Sequence, residues 1–145
     1  MYDAMDIAEY VLNYCENELN KPITNLQLQK FLYYIQGYHL AEYKEPIFDN
    51  DIEAWAYGPV VPDVYYCYNA NVSKKITGIE LGAYIEPKDK DLINKVVNKL
   101  IDIPVWDLVD KTHKEEPWKI NYISHSNIEI PLEDIKNCFI GKVNL

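Results

Sequence analysis

A long segment with apolar side chains on most of its surface determines how this chain can fold. From Thr24 to about Tyr43 the apolar residues form two stripes on a single helix, and such a helix lies at the centre of a domain with neighbours on several sides. The first stripe contains Leu28, Phe31, Leu32, Ile35 and Tyr38, and the second contains Leu26, Tyr33, Gly37, Leu40 and Ala41. Thr24 and Gln27 form a capping box that starts the helix. Gly37 costs a helix about 1 kcal/mol relative to alanine, which predicts that another backbone approaches closely there.

Prolines divide the rest of the chain into further helices. Apolar residues recur at helical spacing from Asp3 to about Asn20, and the next helices are expected to begin near Pro62, Pro87 and Pro131. Pro104 precedes a short helix that carries Val105, Trp106, Leu108 and Val109. The pattern Thr112-His113-Lys114-Glu115 predicts a second capping box before Pro117 and Trp118.

The predicted β content is small. Residues 51–57 are rich in aromatic residues and are bounded by turn-forming residues, which predicts a strand. Residues 79–85 predict a second short extended segment within a polar stretch. The predicted fold class is therefore mainly α: a compact single domain over residues 1–145, with about six to seven helices.

The cysteines and the absence of targeting signals indicate the compartment. Cys15, Cys67 and Cys138 are an odd number, far apart and without a CxxC pair, which favours reduced thiols over a disulfide framework or a zinc ribbon. No apolar run approaches the roughly 20 residues of a membrane helix. The acidic start also lacks the order of a signal peptide. We therefore predict a cytoplasmic protein with no membrane partner.

The charge balance argues against nucleic acid as a partner. The formal net charge is −9, and all 14 basic residues are lysines, so no guanidinium group is available for bidentate contacts with phosphate or guanine. An acidic domain without a basic stripe repels a phosphate backbone. The acidity either favours a basic protein partner through faster encounter or simply maintains solubility, and charge alone leaves both interpretations open.

The residues offer weak signals for catalysis or cofactor binding. The five glycines are scattered, so neither a P-loop nor a dinucleotide-binding fingerprint is present, and we predict no cofactor. His39 with Glu42, and His113 with Glu116, have a spacing that allows metal binding, but their order is the reverse of the usual Glu-x-x-His motif. An enzyme that uses Cys67 or His113 remains an alternative, although the sequence favours a non-enzymatic protein.

Thirteen tyrosines point towards either an aromatic core or a protein interface. The adjacent pairs Tyr33-Tyr34 and Tyr65-Tyr66 place rings about 100° apart on their helices, so both rings of a pair cannot face the same core. Some rings must therefore contact a second packing surface or lie on the protein surface. Tyrosine is favoured at interfaces, and both interpretations stay open for any single ring.

Three segments together carry a family resemblance. They are residues 28–41, 52–61 and 112–118, and in this order they resemble the Panacea antitoxin domain, also called the SocA-like or GepA-like phage-associated family. The residues that match the family pattern are Gln29, Lys30, Tyr33, Gln36, Gly37, His39, Trp55, Gly58, Pro59, Val60, Thr112, His113, Pro117 and Trp118.

The resemblance implies an antitoxin that neutralises a cognate toxin by direct binding, the toxin gene usually being adjacent. Some members also deliver their toxin to a AAA+ protease, so a proteolytic adaptor is an alternative. The family supplies no catalytic residues. We interpret the matching residues as scaffold, and we expect the partner to bind at Tyr65, Tyr66 and Tyr68 and at the loop of residues 70–82.

Overall fold

The second helix of the chain runs through the centre of the structure. The computed structural model describes residues 1–71 and 73–142. Its helices are α1 (Ala4–Asn13), α2 (Asn25–Tyr43), α3 (Pro62–Tyr65), α4 (Pro87–Leu100), α5 (Val105–His113), α6 (Glu116–Lys119) and α7 (Leu132–Phe139). Its strands are β1 (Glu53–Trp55), β2 (Gly58–Val60) and β3 (Ile128–Glu129). A π-helical turn (Tyr14–Glu18) continues α1, and a 3₁₀ turn (Asn69–Asn71) follows α3. The described residues thus confirm the mainly α prediction.

Helix α2 is central because nearly all of its circumference is buried. The predicted capping box is present: the Thr24 hydroxyl accepts from the Gln27 N–H at 3.3 Å, and the Gln27 side chain accepts from the Thr24 N–H at 3.0 Å. The helix packs against α1, α3, α4, α5, α7 and β2. Gly37 is needed for one of these contacts, but the expected partner was wrong. A Cβ at Gly37 would lie 2.5 Å from ring carbons of Phe139 on α7, so the close neighbour is a side chain and not a backbone.

A three-stranded antiparallel sheet, in the order β2-β1-β3, covers one side of α2. The strand predicted at 51–57 corresponds to β1, and a two-residue turn joins it to β2. Glu53 lies opposite Val60 on β2 and opposite Glu129 on β3. Because side chains alternate along a strand, these three residues share one face of the sheet with Trp55.

Two local predictions were wrong. Residues 79–85 form no strand, and the carbonyl of Ile79 accepts instead from the Asn13 side chain of α1 at 2.8 Å. Thr112 does not start a helix, because α5 continues through it and its hydroxyl donates to the Val109 carbonyl at 2.8 Å. The short helix α6 has Glu115 as its N-cap residue.

Candidate functional site

Two side chains of α2 form hydrogen bonds with the hairpin of β1 and β2. The Lys30 Nζ donates to the Pro59 carbonyl at 2.9 Å, and the Gln29 amide oxygen accepts from the Val61 N–H at 2.9 Å. Both side chains are buried. Burial lowers the pKa of Lys30 to about 7, because the desolvated ammonium is disfavoured.

Gly58 leaves the space that Lys30 occupies. A Cβ at this position would lie 2.7 Å from the Thr112 hydroxyl and 2.9 Å from the Lys30 Cε. Its φ of +108° also belongs to a region that side chains disfavour. Gly58, Lys30 and Thr112 therefore form one packed unit at the start of β2.

Two further polar residues of α2 hold the loop that precedes the sheet. The Gln36 amide donates to the Phe48 carbonyl at 2.7 Å and accepts from the Ile47 N–H at 2.9 Å. The His39 ring lies 2.6 Å from the Glu45 carbonyl oxygen through Nδ1, and 3.2 Å from the Asp89 carboxylate through Nε2. These bonds satisfy polar groups that would otherwise be buried without partners.

A buried carboxylate joins α2 to the turn between α5 and α6. Glu115 accepts from the hydroxyls of Tyr33 and Tyr34, each at 3.1 Å, and from the Lys142 Nζ at 3.0 Å. Burial raises the pKa of both tyrosines above its usual range, and the nearby Glu115 charge adds to the effect. Both rings also make edge contacts with Phe139. Both rings of the adjacent pair therefore lie in one core, and the expectation that they could not do so was wrong.

A stack of three aromatic rings contacts β1. The Trp118 ring lies 3.8 Å from the His113 ring and 4.5 Å from the Tyr122 ring, and its Nε1 donates to the Trp55 carbonyl at 2.7 Å. His113 Nε2 is buried and has no hydrogen-bond partner among the described residues. Pro117, the residue before Trp118, is also buried. The family-matching residues thus lie around α2 and the hairpin.

The hairpin of β1 and β2 borders an open apolar groove of about 680 Å³, which we call the aromatic groove. The start of α2, the hairpin, α3 and α5 form its walls. Its lining residues are Thr24, Leu26, Gln29, Trp55, Ala56, Tyr57, Val60, Tyr65, Ser73, Val105 and Trp106.

The rings of the aromatic groove contact one another and remain open to solvent. Trp55 and Tyr65 meet edge to face at 5.0 Å, and Tyr57 and Trp106 do so at 5.2 Å. Tyr57 is 58% exposed and Trp106 is 56% exposed. Clustered exposed aromatic rings are unusual on a solvated surface and are typical of protein-binding sites.

The structure separates the three tyrosines that we expected to bind a partner. Tyr65 lines the groove, and Tyr66 lies at its edge, 5.9 Å from the Trp55 ring and largely exposed. Tyr68 instead packs against the core, and burial raises its pKa. Trp106 was not among the residues that we expected to bind a partner, and the sequence signal for it lies in its spacing. Its spacing from the buried Leu108 is two residues, or about 200° around a helix, and this spacing marks the opposite face.

The candidate catalytic and metal-binding residues do not assemble into a site. The Cys67 thiol is exposed and donates to the Asp63 carbonyl. Burial raises the pKa of Cys15 to about 12, which keeps that thiol protonated. Within residues 1–71 and 73–142, no group of three or more His, Cys, Asp or Glu side chains is arranged to hold a metal ion. In that same part of the chain, no helix is long and apolar enough to span a membrane.

The structure is a mainly helical domain with an exposed aromatic groove. The family model described as "Antitoxin SocA-like, Panacea domain" matches residues 28–119, which are more than half of the chain. The chain therefore belongs to the SocA-like antitoxin family. It is similar to Antitoxin SocA of Caulobacter vibrioides (strain NA1000 / CB15N), with 34% identity over 131 residues, covering 81% of this chain and 69% of that protein. No solved structure matches the chain.

Proposed function

We propose that this protein is an antitoxin of the bacterial cytoplasm that neutralises a cognate toxin by binding it directly in the aromatic groove. The observation that carries the proposal is the similarity of the chain to an antitoxin over most of its length. Direct masking requires a surface for the toxin and no catalytic group. The groove supplies such a surface within the described residues.

The composition of the groove favours a protein partner. Tryptophan and tyrosine dominate the energetics of protein interfaces because they bury a large apolar area with little loss of conformational entropy. Trp55, Tyr57, Tyr65 and Trp106 all line one groove. Hydrogen bonds from α2 and from Trp118 hold its wall in place before any partner arrives, which reduces the ordering cost of binding.

The test is the growth of bacteria in which the adjacent gene is induced alone or together with this protein. We expect growth arrest with the adjacent gene alone and rescue on co-expression. A variant with both Tyr57→Ala and Trp106→Ala should lose the rescue. Tyr84→Ala removes an aromatic side chain that is 75% exposed outside the groove, so this matched control should still rescue growth.

Three results would contradict the proposal. Growth without arrest when the adjacent gene is expressed alone would remove the toxin from the argument. Rescue by the Tyr57→Ala/Trp106→Ala variant at wild-type protein levels would place the interface elsewhere. Rescue without co-purification of the two proteins would exclude direct binding as the mechanism.

A further inference from the structure

Two acidic side chains lie next to each other on the face of the sheet that carries Trp55, a residue that lines the aromatic groove. Glu53 on β1 and Glu129 on β3 are direct cross-strand partners, so their Cβ atoms lie roughly 4.5–5.5 Å apart. Like charges in this position destabilise a sheet. Both residues share a face with Trp55 and Val60, which line the groove.

Neither carboxylate is neutralised by the described part of the chain. The ion pairs within residues 1–71 and 73–142 involve neither Glu53 nor Glu129. The Glu53 carboxylate accepts instead from the Trp55 Nε1 at 2.9 Å, which places it beside the indole ring that forms the groove wall. A repulsive acidic pair next to an apolar groove is complementary to a cation that arrives with apolar neighbours.

We propose that the aromatic groove binds a partner segment in which an arginine or lysine side chain is flanked by apolar side chains. The inference rests on the proposed function and specifies the chemistry of the toxin segment. The cation lies between Glu53 and Glu129, where charge-assisted hydrogen bonds to the two carboxylates stabilise it. The apolar neighbours contact Tyr57, Tyr65 and Trp106.

The net charge of −9 acts in the same direction as this local arrangement. A negative field over the whole molecule increases the rate at which a basic segment encounters the groove. The local pair then selects the position of the cation, because charge complementarity determines register more than affinity.

Selection from a random peptide library displayed on phage tests this inference with the purified full-length protein. We expect the enriched peptides to carry arginine or lysine next to aliphatic or aromatic residues. The best peptide, labelled with a fluorophore, is then titrated by anisotropy against wild-type protein and a variant with Glu53→Gln and Glu129→Gln. Glutamine keeps the size of both side chains and an acceptor for the Trp55 N–H. We expect binding to weaken by about tenfold in this variant and to depend less steeply on salt concentration.

A matched variant removes two negative charges at the other end of α2. Glu42 lies near the C-terminal end of that helix, roughly 24 Å along its axis from Leu26 in the groove. Asp91 lies on α4, two residues after Asp89. The Asp89 carboxylate contacts His39, which is near the same end of α2 as Glu42. The Glu42→Gln/Asp91→Asn variant should bind the peptide as wild type does.

The failure of this inference can be told apart from the failure of the proposed function, because peptide selection involves no toxin. Selection of neutral or acidic peptides, selection of none, or equal binding by the Glu53→Gln/Glu129→Gln variant would overturn the inference. A peptide that binds equally well after its basic residue is replaced by glutamine would do the same. If the wild-type protein binds the selected peptide but does not neutralise a toxin, only the antitoxin function is overturned.

Discussion

The buried polar contacts of α2 and the aromatic groove place opposite kinds of residue in opposite environments. In the first region, side chains such as Lys30, Gln36 and Glu115 are buried and bonded to groups on other segments. In the second, Tyr57 and Trp106 are large and apolar but exposed. Polar groups in a core are costly unless paired, and exposed aromatic clusters are uncommon without a partner. The difference indicates that the first region determines the shape of the molecule and leaves the rings of the second exposed.

The largest expected effect comes from Glu115→Ala in the buried region. The substitution leaves the hydroxyls of Tyr33 and Tyr34 without their shared acceptor and the Lys142 ammonium without its carboxylate. We expect the free energy of unfolding to fall by about 2–4 kcal/mol, since the two buried hydroxyls lose their acceptor. The Lys142 side chain is 39% exposed, so water replaces most of its contact. Urea denaturation followed by circular dichroism measures this change.

Glu116→Ala is the control for Glu115→Ala. Glu116 is the next residue in the chain and is exposed, so its loss should change the free energy of unfolding by less than about 0.5 kcal/mol. Equal losses in the two variants would show that general charge, and not the shared hydrogen bonds, accounts for the effect.

The next largest effect concerns the pH dependence that Lys30 gives to stability. Its pKa is about 7 in the folded protein, against 10.5 for the ordinary group. Between these values the unfolded chain binds a proton that the folded protein does not, so the free energy of unfolding rises with pH. We expect wild type to gain about 2 kcal/mol over a Lys30→Met variant between pH 7 and pH 9. Below pH 7 the ammonium is charged in both states, and the difference becomes constant.

Urea midpoints at several pH values measure this slope, and Lys95→Met provides the comparison. Lys95 is exposed on α4, so its removal should leave the pH dependence of wild type unchanged. A Lys30→Met variant whose stability relative to wild type stays constant from pH 7 to pH 9 would show that Lys30 titrates normally despite its burial.

The sequence predicts the buried region better than the groove, because the buried region follows from patterns among residues that are close together in the chain. The apolar stripes of α2 and the Thr24–Gln27 capping box are local patterns, and both are confirmed. The strands β2 and β3 are two or three residues long, and their pairing with β1 depends on residues far apart in the chain. No local pattern contains that information.

Two other errors show how a correct pattern can be outweighed. Thr112 and Glu115 have capping-box spacing, but Thr112 also continues the buried face of Leu108 and Val109, and packing decides the outcome. Trp106 was not predicted to bind a partner, although its position on α5, two residues before the buried Leu108, puts it on the opposite face. Residue type alone therefore could not identify the groove, whereas helical spacing combined with the fold does.

The smallest expected effect on stability separates the two regions most clearly. Trp106→Ala removes a ring that is more than half exposed and contacts Tyr57, so the free energy of unfolding should fall by only about 1 kcal/mol. Trp118→Ala removes a ring of the supporting stack and leaves the Trp55 carbonyl without its donor, which should cost about 2 kcal/mol.

Comparison of the two tryptophan variants with Trp118→Phe tests whether support and binding are separate roles. Phenylalanine keeps a ring in the stack but lacks the N–H that bonds to Trp55, so its stability should lie between wild type and Trp118→Ala. Circular dichroism is the suitable probe, because each variant loses an indole that would otherwise report fluorescence. A Trp106→Ala variant as unstable as Trp118→Ala would mean that the exposed ring holds the fold together. In that case the groove could not be altered without loss of the fold, and its aromatic rings would need no partner to explain them.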